Sequence, residues 1–304
     1  MSKVLSNTSV VISQKALVHN LKQFKRAAEL PVAPVIKSNA YGHGLELVGK
    51  ILDRTDIPLI CVNSLEEAVA LRRAKVLKPL LVIGYTPPRV IRKKPLRDCS
   101  FMVGSIKDLR VLLGSRARIH LKIDTGMHRQ GIQLSEIDQA VRLISNKSEA
   151  ILEGIMSHLA DADGEDDFLS DMQISAWNKE VQKFRATFPR LEYWHIAATT
   201  GIRLSRKIDA NLVRLGIGLY GMNVSRQKMN LKPVLEVRSV IASLRKLKKG
   251  DRVGYNGTFT VEDSLTIATV PLGYYEGIDR RLSNKGYMLV QGITCPIIGR
   301  VSMN

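Results

Sequence analysis

Between residues 8 and 222, short apolar runs alternate with amphipathic stretches. The runs at 32–36, 59–62, 80–83, 100–103, 119–123, 152–156, 193–196 and 212–219 are rich in β-branched residues. Most end at Gly, Pro, Asn or Asp, the residues that interrupt strands. Between them, stretches such as 64–73, 135–144 and 171–188 carry apolar residues at helical spacing. The first opens Ser64-Leu65-Glu66-Glu67, a capping-box pattern that predicts a helix start. Eight strands alternating with helices predict a (β/α)8 barrel of the TIM type over residues 8–222. A doubly wound parallel sheet shares the same alternation. Beyond a polar, charged linker at 223–231 the pattern changes. Runs at 235–244, 266–271, 287–290 and 296–301 read as strands joined by short turns, which predicts a mainly antiparallel β-domain over 231–304.

Composition narrows the class. The 304 residues are 45% hydrophobic and 24% charged, which excludes intrinsic disorder. Three widely spaced cysteines, Cys61, Cys99 and Cys295, exclude a disulfide scaffold and read as reduced thiols. No run approaches the ~18 apolar residues of a membrane span, and the N-terminus lacks a secretory apolar region. These features describe a soluble cytoplasmic globular protein. The formal net charge of +18 raises the question of a nucleic-acid or anionic-surface partner. The densest basic groups, at 72–78, 89–97 and 245–252, are interleaved with apolar residues. No helix-turn-helix, metal knuckle or aromatic basic stripe accompanies them, so the charge reads as solvated surface and neither nucleic acid nor membrane is expected.

A barrel places its chemistry just past the C-terminal ends of its strands. The first strand is followed by Lys37-Ser38-Asn39-Ala40-Tyr41-Gly42-His43-Gly44. A lysine after a buried run is partly desolvated, and desolvation lowers its pKa toward that of a nucleophile. A lysine snorkelling at the rim fits the same position. The fifth strand leads into Lys122-Ile123-Asp124-Thr125-Gly126-Met127-His128-Arg129, the sixth into Ser157-His158 and the seventh into His195-Ile196-Ala197-Ala198-Thr199. The eighth carries Arg214-Leu215-Gly216-Ile217.

These pieces resemble the alanine racemases, fold-type III enzymes that use pyridoxal 5′-phosphate (PLP). The segments VIKSNAYGHG (35–44), HLKIDTGMHRQGI (120–132), SHLADAD (157–163), HIAATTG (195–201), VRLGIGLYG (213–221), GYNGTF (254–259), VPLGYYEGIDRRLSNKG (270–286) and GRVSMN (299–304) occur in family order and span nearly the whole chain. The resemblance implies that Lys37 binds the cofactor covalently and serves as one of two catalytic bases, with Tyr255 as the other. It implies that Tyr41, Thr199, Gly216 and Ile217 hold the cofactor phosphate, that Arg214 faces the pyridine nitrogen, and that His158 lies beside the second base. Arg129, Tyr274 and the Met303 backbone would meet the substrate, and Lys122 matches a lysine carbamylated in many relatives. No metal is implied.

A guanidinium does not surrender its proton, so an arginine at the pyridine nitrogen weakens the cofactor as an electron sink and disfavours side reactions such as transamination. Because Tyr255 and Met303 belong to the β-domain, the resemblance also implies a homodimer with shared sites. Its implied role is interconversion of L- and D-alanine for cell-wall peptidoglycan. A serine or broader amino-acid racemase shares these motifs, and a non-catalytic PLP-binding protein would share Lys37 without needing Tyr255. The pattern departs from the family at Ala198 (usually Asn), Thr199 (usually Ser), Tyr275-Glu276 (more often Ala-Asp) and Asn304 (more often Asp). The family pattern also runs on well past GRVSMN, so the β-domain reads as incomplete and the chain either as a piece of a longer one, the favoured reading, or as a shortened member.

Overall fold

The computed structural model describes residues 7–93, 96–146, 149–224, 226 and 228–304. Lys94 and Pro95 of the basic group at 89–97, Ser225 and Gln227 of the linker, and the first six residues of the N-terminus lie outside the described residues. The chain forms two compact units, one of residues 13–234 and one of the segment ending at Ile12 together with Leu235–Asn304. Among the described residues no helix is long and apolar enough to cross a membrane.

Strand β1 (Ser9–Ile12) belongs to the smaller unit. The larger unit holds β2 (Val32–Pro34), β3 (Ile60–Val62), β4 (Leu80–Val82), β5 (Cys99–Val103), β6 (Arg118–Lys122), β7 (Ile151–Met156), β8 (Tyr193–His195) and β9 (Val213–Leu215). β3 to β8 form one parallel sheet in sequence order, and β2 pairs in parallel with β9. The ring closes through a parallel bridge between Val35 and Cys61 on one side. On the other, the Asn211 and Arg214 amides donate to the Trp194 and Ala197 carbonyls at 3.1 Å each. This is the expected barrel, with helices between successive strands. Most strand residues are buried, as covered parallel strands require.

Local chemistry fixes the helix starts. The Ser13, Ser64 and Ser105 hydroxyls accept from the Ala16, Glu67 and Asp108 amides at the heads of helices Gln14–Ala28, Leu65–Arg73 and Ile106–Leu112. One side of the barrel interior is apolar, built from Ala33, Val35, Leu59, Cys61, Leu81 and Leu212. The strand read at 212–219 stops at Leu215, because Gly216 turns the chain into a short 3-10 helix at Ile217–Tyr220.

The smaller unit is antiparallel throughout. β1 pairs with β10 (Leu235–Arg238), β11 (Ser243–Leu247) with β14 (Leu265–Thr269), β12 (Arg252–Val253) with β13 (Phe259–Thr260), and β15 (Tyr287–Val290) with β16 (Ile293–Pro296). Two expectations need correction. The run at 235–244 is interrupted, because the Ser239 hydroxyl bonds the Thr8 side chain and the Asn7 and Pro271 carbonyls, drawing the chain out of a ladder. The run at 296–301 is not a strand: Pro296 closes β16, having no N–H to continue it, and Gly299 is left-handed at φ 78°. β16 instead follows β15 through Gln291-Gly292, both at positive φ, the geometry of a tight two-residue hairpin.

Candidate active site

The segment after β2 is wound the wrong way for L-residues. Ser38, Asn39, Ala40 and Tyr41 all have φ between 53° and 56°, a left-handed turn that costs roughly 1–2 kcal/mol per residue. Dedicated partners hold it. The Ser38 amide donates to Glu67 Oε1 at 2.6 Å, while Glu67 Oε2 accepts from the Asn63 amide at 2.7 Å. Asn39 Oδ1 accepts from the Leu45 amide at 2.8 Å, and Gly42 and Gly44 at φ 86° and 94° carry the chain into the next helix. The Tyr220 ring packs on the turn, 5.1 Å from Tyr41 and 4.3 Å from His43. Lys37 heads this turn, half-buried.

Lys37 opens onto a cavity of about 490 Å3 at the C-terminal ends of the strands. Lys122, Arg129, His158 and Arg214 line it too, so five of the sequence-derived candidates converge. The lining also includes Gln130 and Ser157, which sit in the quoted motifs, Met156 at the end of β7, and Asn63, Ile83, Gly84 and Tyr85, which no motif singled out. Asn63 and Ile83-Gly84-Tyr85 directly follow β3 and β4, so the strand-end rule applied to every strand would have found them.

Four cationic side chains line this space and no carboxylate does. Burial, reinforced by Arg214 and Arg129, pushes the Lys122 pKa down to about 8. Burial and the same cations push His158 down to about 3, leaving it neutral at ordinary pH. His158 Nδ1 accepts from Arg214 Nη2 at 3.1 Å, so its proton sits on Nε2. The loop bearing Arg129 is nucleated by Asp124, whose Oδ1 accepts from the Gly126, Met127 and His128 amides at 3.0 Å each. Gln173, on helix Phe168–Thr187, donates to the His158 carbonyl at 3.0 Å and accepts from the Ala160 amide at 2.8 Å, fixing the segment after β7.

Tyr41, Thr199 and Gly216 gather into a second cluster. Thr199 Oγ1 accepts from the Gly216 amide at 3.1 Å. A Cβ on residue 216 would stand 2.8 Å from Tyr41 Oη, so glycine is what admits the phenol. Burial raises the Tyr41 pKa, and half-buried Ile217 begins the short 3-10 helix.

Tyr255, Tyr274 and Met303 lie in the smaller unit, all exposed. Tyr255 heads a 3-10 turn at Tyr255–Gly257. The Tyr274 and Tyr275 amides donate to the Ser302 and Met303 carbonyls at 3.0 and 2.9 Å, which ties the two segments side by side.

The chain matches known proteins over nearly its whole length. The model of the alanine racemase N-terminal domain matches residues 12–224, and that of the C-terminal domain matches residues 234–304. Alanine racemase of Sorangium cellulosum is 37% identical over 98% of this chain and 82% of its own length. That of Carboxydothermus hydrogenoformans is 34% identical over 94% and 80%. Among solved structures, alanine racemase of Clostridium difficile superposes with a TM-score of 0.87 at 27% identity, covering 99% of this chain and 82% of that one. The enzyme of Bartonella henselae, solved with covalently bound pyridoxal phosphate, gives 0.81 at 25% identity, covering 98% and 84%. With both domain models matched in order on a barrel that gathers its cations at one rim, this chain belongs to the alanine racemase family and is an amino-acid racemase, an isomerase.

Proposed function

We propose that the protein interconverts L- and D-alanine with PLP as cofactor, using Lys37 and Tyr255 as the two bases. The observation that carries the reading is the cavity that gathers Lys37, Lys122, Arg129 and Arg214 without a carboxylate. Such a set is repelled by its own charge and calls for anionic occupants. A phosphate dianion and an amino-acid carboxylate are anions of the right kind. The cofactor fits the residues present: Tyr41, Thr199 and the backbone at Gly216 and Ile217 would hold its phosphate, and the absence of a Cβ at 216 keeps that cradle open. Arg214, held by neutral acceptors, would face the ring nitrogen and His158 would flank it. When bound, PLP supplies delocalisation for the negative charge left at Cα after proton loss.

The remaining work belongs to side chains. Racemisation needs bases on opposite faces of a planar centre, and one lysine with one tyrosine meets that need. Arg129 and the Met303 amide would orient the substrate carboxylate, with Tyr274 at the entrance. Lys122, at a pKa of about 8, is mostly charged near neutral pH but holds a minor neutral amine fraction, about a tenth at pH 7. That neutral fraction could add to carbon dioxide and release one proton to solvent, becoming a carbamate anion that would balance and orient Arg129. Tyr255 and Met303 are assigned to the site of a second copy in a homodimer. Free thiols at Cys61, Cys99 and Cys295 fit a cytoplasmic enzyme, whose D-alanine would supply peptidoglycan.

The test is chiral chromatography of L-alanine, then L-serine, incubated with the protein and PLP. Conversion of alanine well ahead of serine is expected. Borohydride treatment should bleach the visible band and leave the cofactor mass on the Lys37 peptide. No D-alanine from a PLP-loaded protein would overturn the reading.

A further inference from the structure

From Arg214, at the cavity, a line of side chains runs into the polar side of the barrel interior. Arg214 is 3% exposed, and every acceptor it meets is neutral. Its Nη1 donates to His195 Nδ1 and to the His195 carbonyl at 3.2 Å. Its Nη2 donates to the Ser157 and Ile196 carbonyls at 2.7 and 2.9 Å and to His158. A buried guanidinium with no carboxylate in contact is costly, and burial pulls its pKa down to about 10. Beyond Arg214 the line continues inward. His195 Nε2 lies 2.9 Å from His120 Nδ1, and His120 Nε2 lies 3.0 Å from Glu153 Oε2. Glu153 also accepts from the Ser100 hydroxyl and from Arg118, whose Nε is 2.9 Å away. Burial alone would raise the Glu153 carboxyl pKa, but these donors outweigh it and hold it below the usual carboxylate range.

The direction of every proton follows from the first donor. A guanidinium only donates, so His195 Nδ1 is bare and Nε2 carries the hydrogen. That hydrogen points at His120 Nδ1, which must be bare in turn, so His120 Nε2–H points at the Glu153 carboxylate. A second proton on either ring would place two hydrogens in one bond, so both rings are neutral. The backbone is shaped for this line: the pairing of β6 with β7 shifts register at Ile119/His120, and a Cβ on Gly154 would stand 2.7 Å from the His120 ring.

We propose that Glu153 is a remote positioning residue for Arg214. Its charge, relayed through single tautomers of His120 and His195, fixes the direction in which Arg214 faces the cavity. The hydrogen-bond line stands on its own; only its use for turnover rests on the proposed function.

The test is ring-nitrogen NMR of the full chain with 15N-labelled histidine, between about pH 6 and 9. Wild-type His195 and His120 are expected as neutral Nε2–H tautomers throughout. Glu153→Gln should disperse that pattern, shift the visible band of the cofactor-loaded protein and lower kcat about 10–100-fold with little change in KM, as loss of an outer-shell partner does. Arg118→Gln, which removes a donor but keeps the Glu153 charge, should leave both spectra as in wild type. A protonated ring or an Nδ1–H His120 in wild type overturns the proposal, as does a Glu153→Gln protein with wild-type spectra. If Glu153→Gln fails to fold, the wild-type tautomers still decide. Ordered tautomers in a chain that never takes up PLP would uphold the relay while removing the racemase reading.

Discussion

The two compact units treat their functional side chains in opposite ways. In the barrel unit several groups at or beside the cavity are set by partners from the same unit. Arg214 has five acceptors, the Lys37 turn is tied to Glu67, and Thr199 caps the amide of Gly216. In the smaller unit β10 and β11 expose most of their residues, and Leu244, Tyr287 and Leu289 are each about two-thirds exposed. Tyr255 is 69% exposed there. On the proposed roles, the barrel would supply anion binding and one base by itself, whereas Tyr255, the proposed second base, stands exposed in its own unit.

The largest effects should separate these two contributions. Lys37→Ala should abolish both covalent cofactor retention and racemisation. Tyr255→Phe should keep the cofactor and lose about 10²–10⁴-fold in racemisation, the range for removal of a general acid–base. It should still exchange the Cα proton of one enantiomer with deuterated solvent. Equal loss of exchange for both enantiomers would rule out bases on opposite faces. Mixing the two inactive variants tests the shared site. A hybrid dimer regains one intact site, so about a quarter of wild-type activity is expected after random exchange. If each chain completes its own site, nothing returns.

A smaller effect concerns what the barrel's self-sufficiency costs. Folding lowers the Lys122 pKa from 10.5 to about 8 through burial and the charges of Arg214 and Arg129. Between those two values the unfolded chain holds more protons than the folded one, so stability should rise as pH increases from about 8 to 10.5. Below about pH 8 the full penalty applies, on the order of 3 kcal/mol. Lys122→Gln should therefore raise Tm at pH 7, flatten the alkaline rise and lower activity. Bicarbonate should raise the wild-type Tm and leave the variant unchanged. Coincident Tm–pH curves for the two proteins would refute the assignment.

The same contrast marks what the sequence made legible. Strand ends announce themselves by where apolar runs meet Gly, Asn and charge, so Lys37 and His158 could be picked out before any fold was known, while the roles of Lys122 and Arg214, inside their runs, came with the family resemblance. Whether a polar residue inside a run faces the barrel interior could not. His120 sits mid-strand in an apolar run, and its link to Glu153 depends on a register shift between two strands distant in sequence. The left-handed turn was equally hidden, because Ser38-Asn39-Ala40-Tyr41 has no glycine at the strained positions. In the smaller unit the strand at 287–290 was readable, but runs with a serine or proline at a critical point were not, since one side-chain hydrogen bond or one missing N–H redirects the chain there.

The smallest effect tests that turn. Glu67 receives the Ser38 amide on one oxygen and the Asn63 amide on the other, so Glu67→Gln replaces one of two acceptors with a donor. A hydrogen bond to a charged group is worth about 1.5–3 kcal/mol, comparable to the strain of one or two left-handed residues. The barrel should survive, with a modest fall in Tm, because β2 and β3 stay paired through Val35 and Cys61. The Lys37 amine should lose its direction, read as slower borohydride-trapped labelling by PLP at unchanged final yield. Glu66→Gln removes the same charge one residue earlier and should label at the wild-type rate. If both variants label alike, the turn is held by Asn39 and Gly42 alone, and the barrel's control over Lys37 is looser than its hydrogen bonds imply.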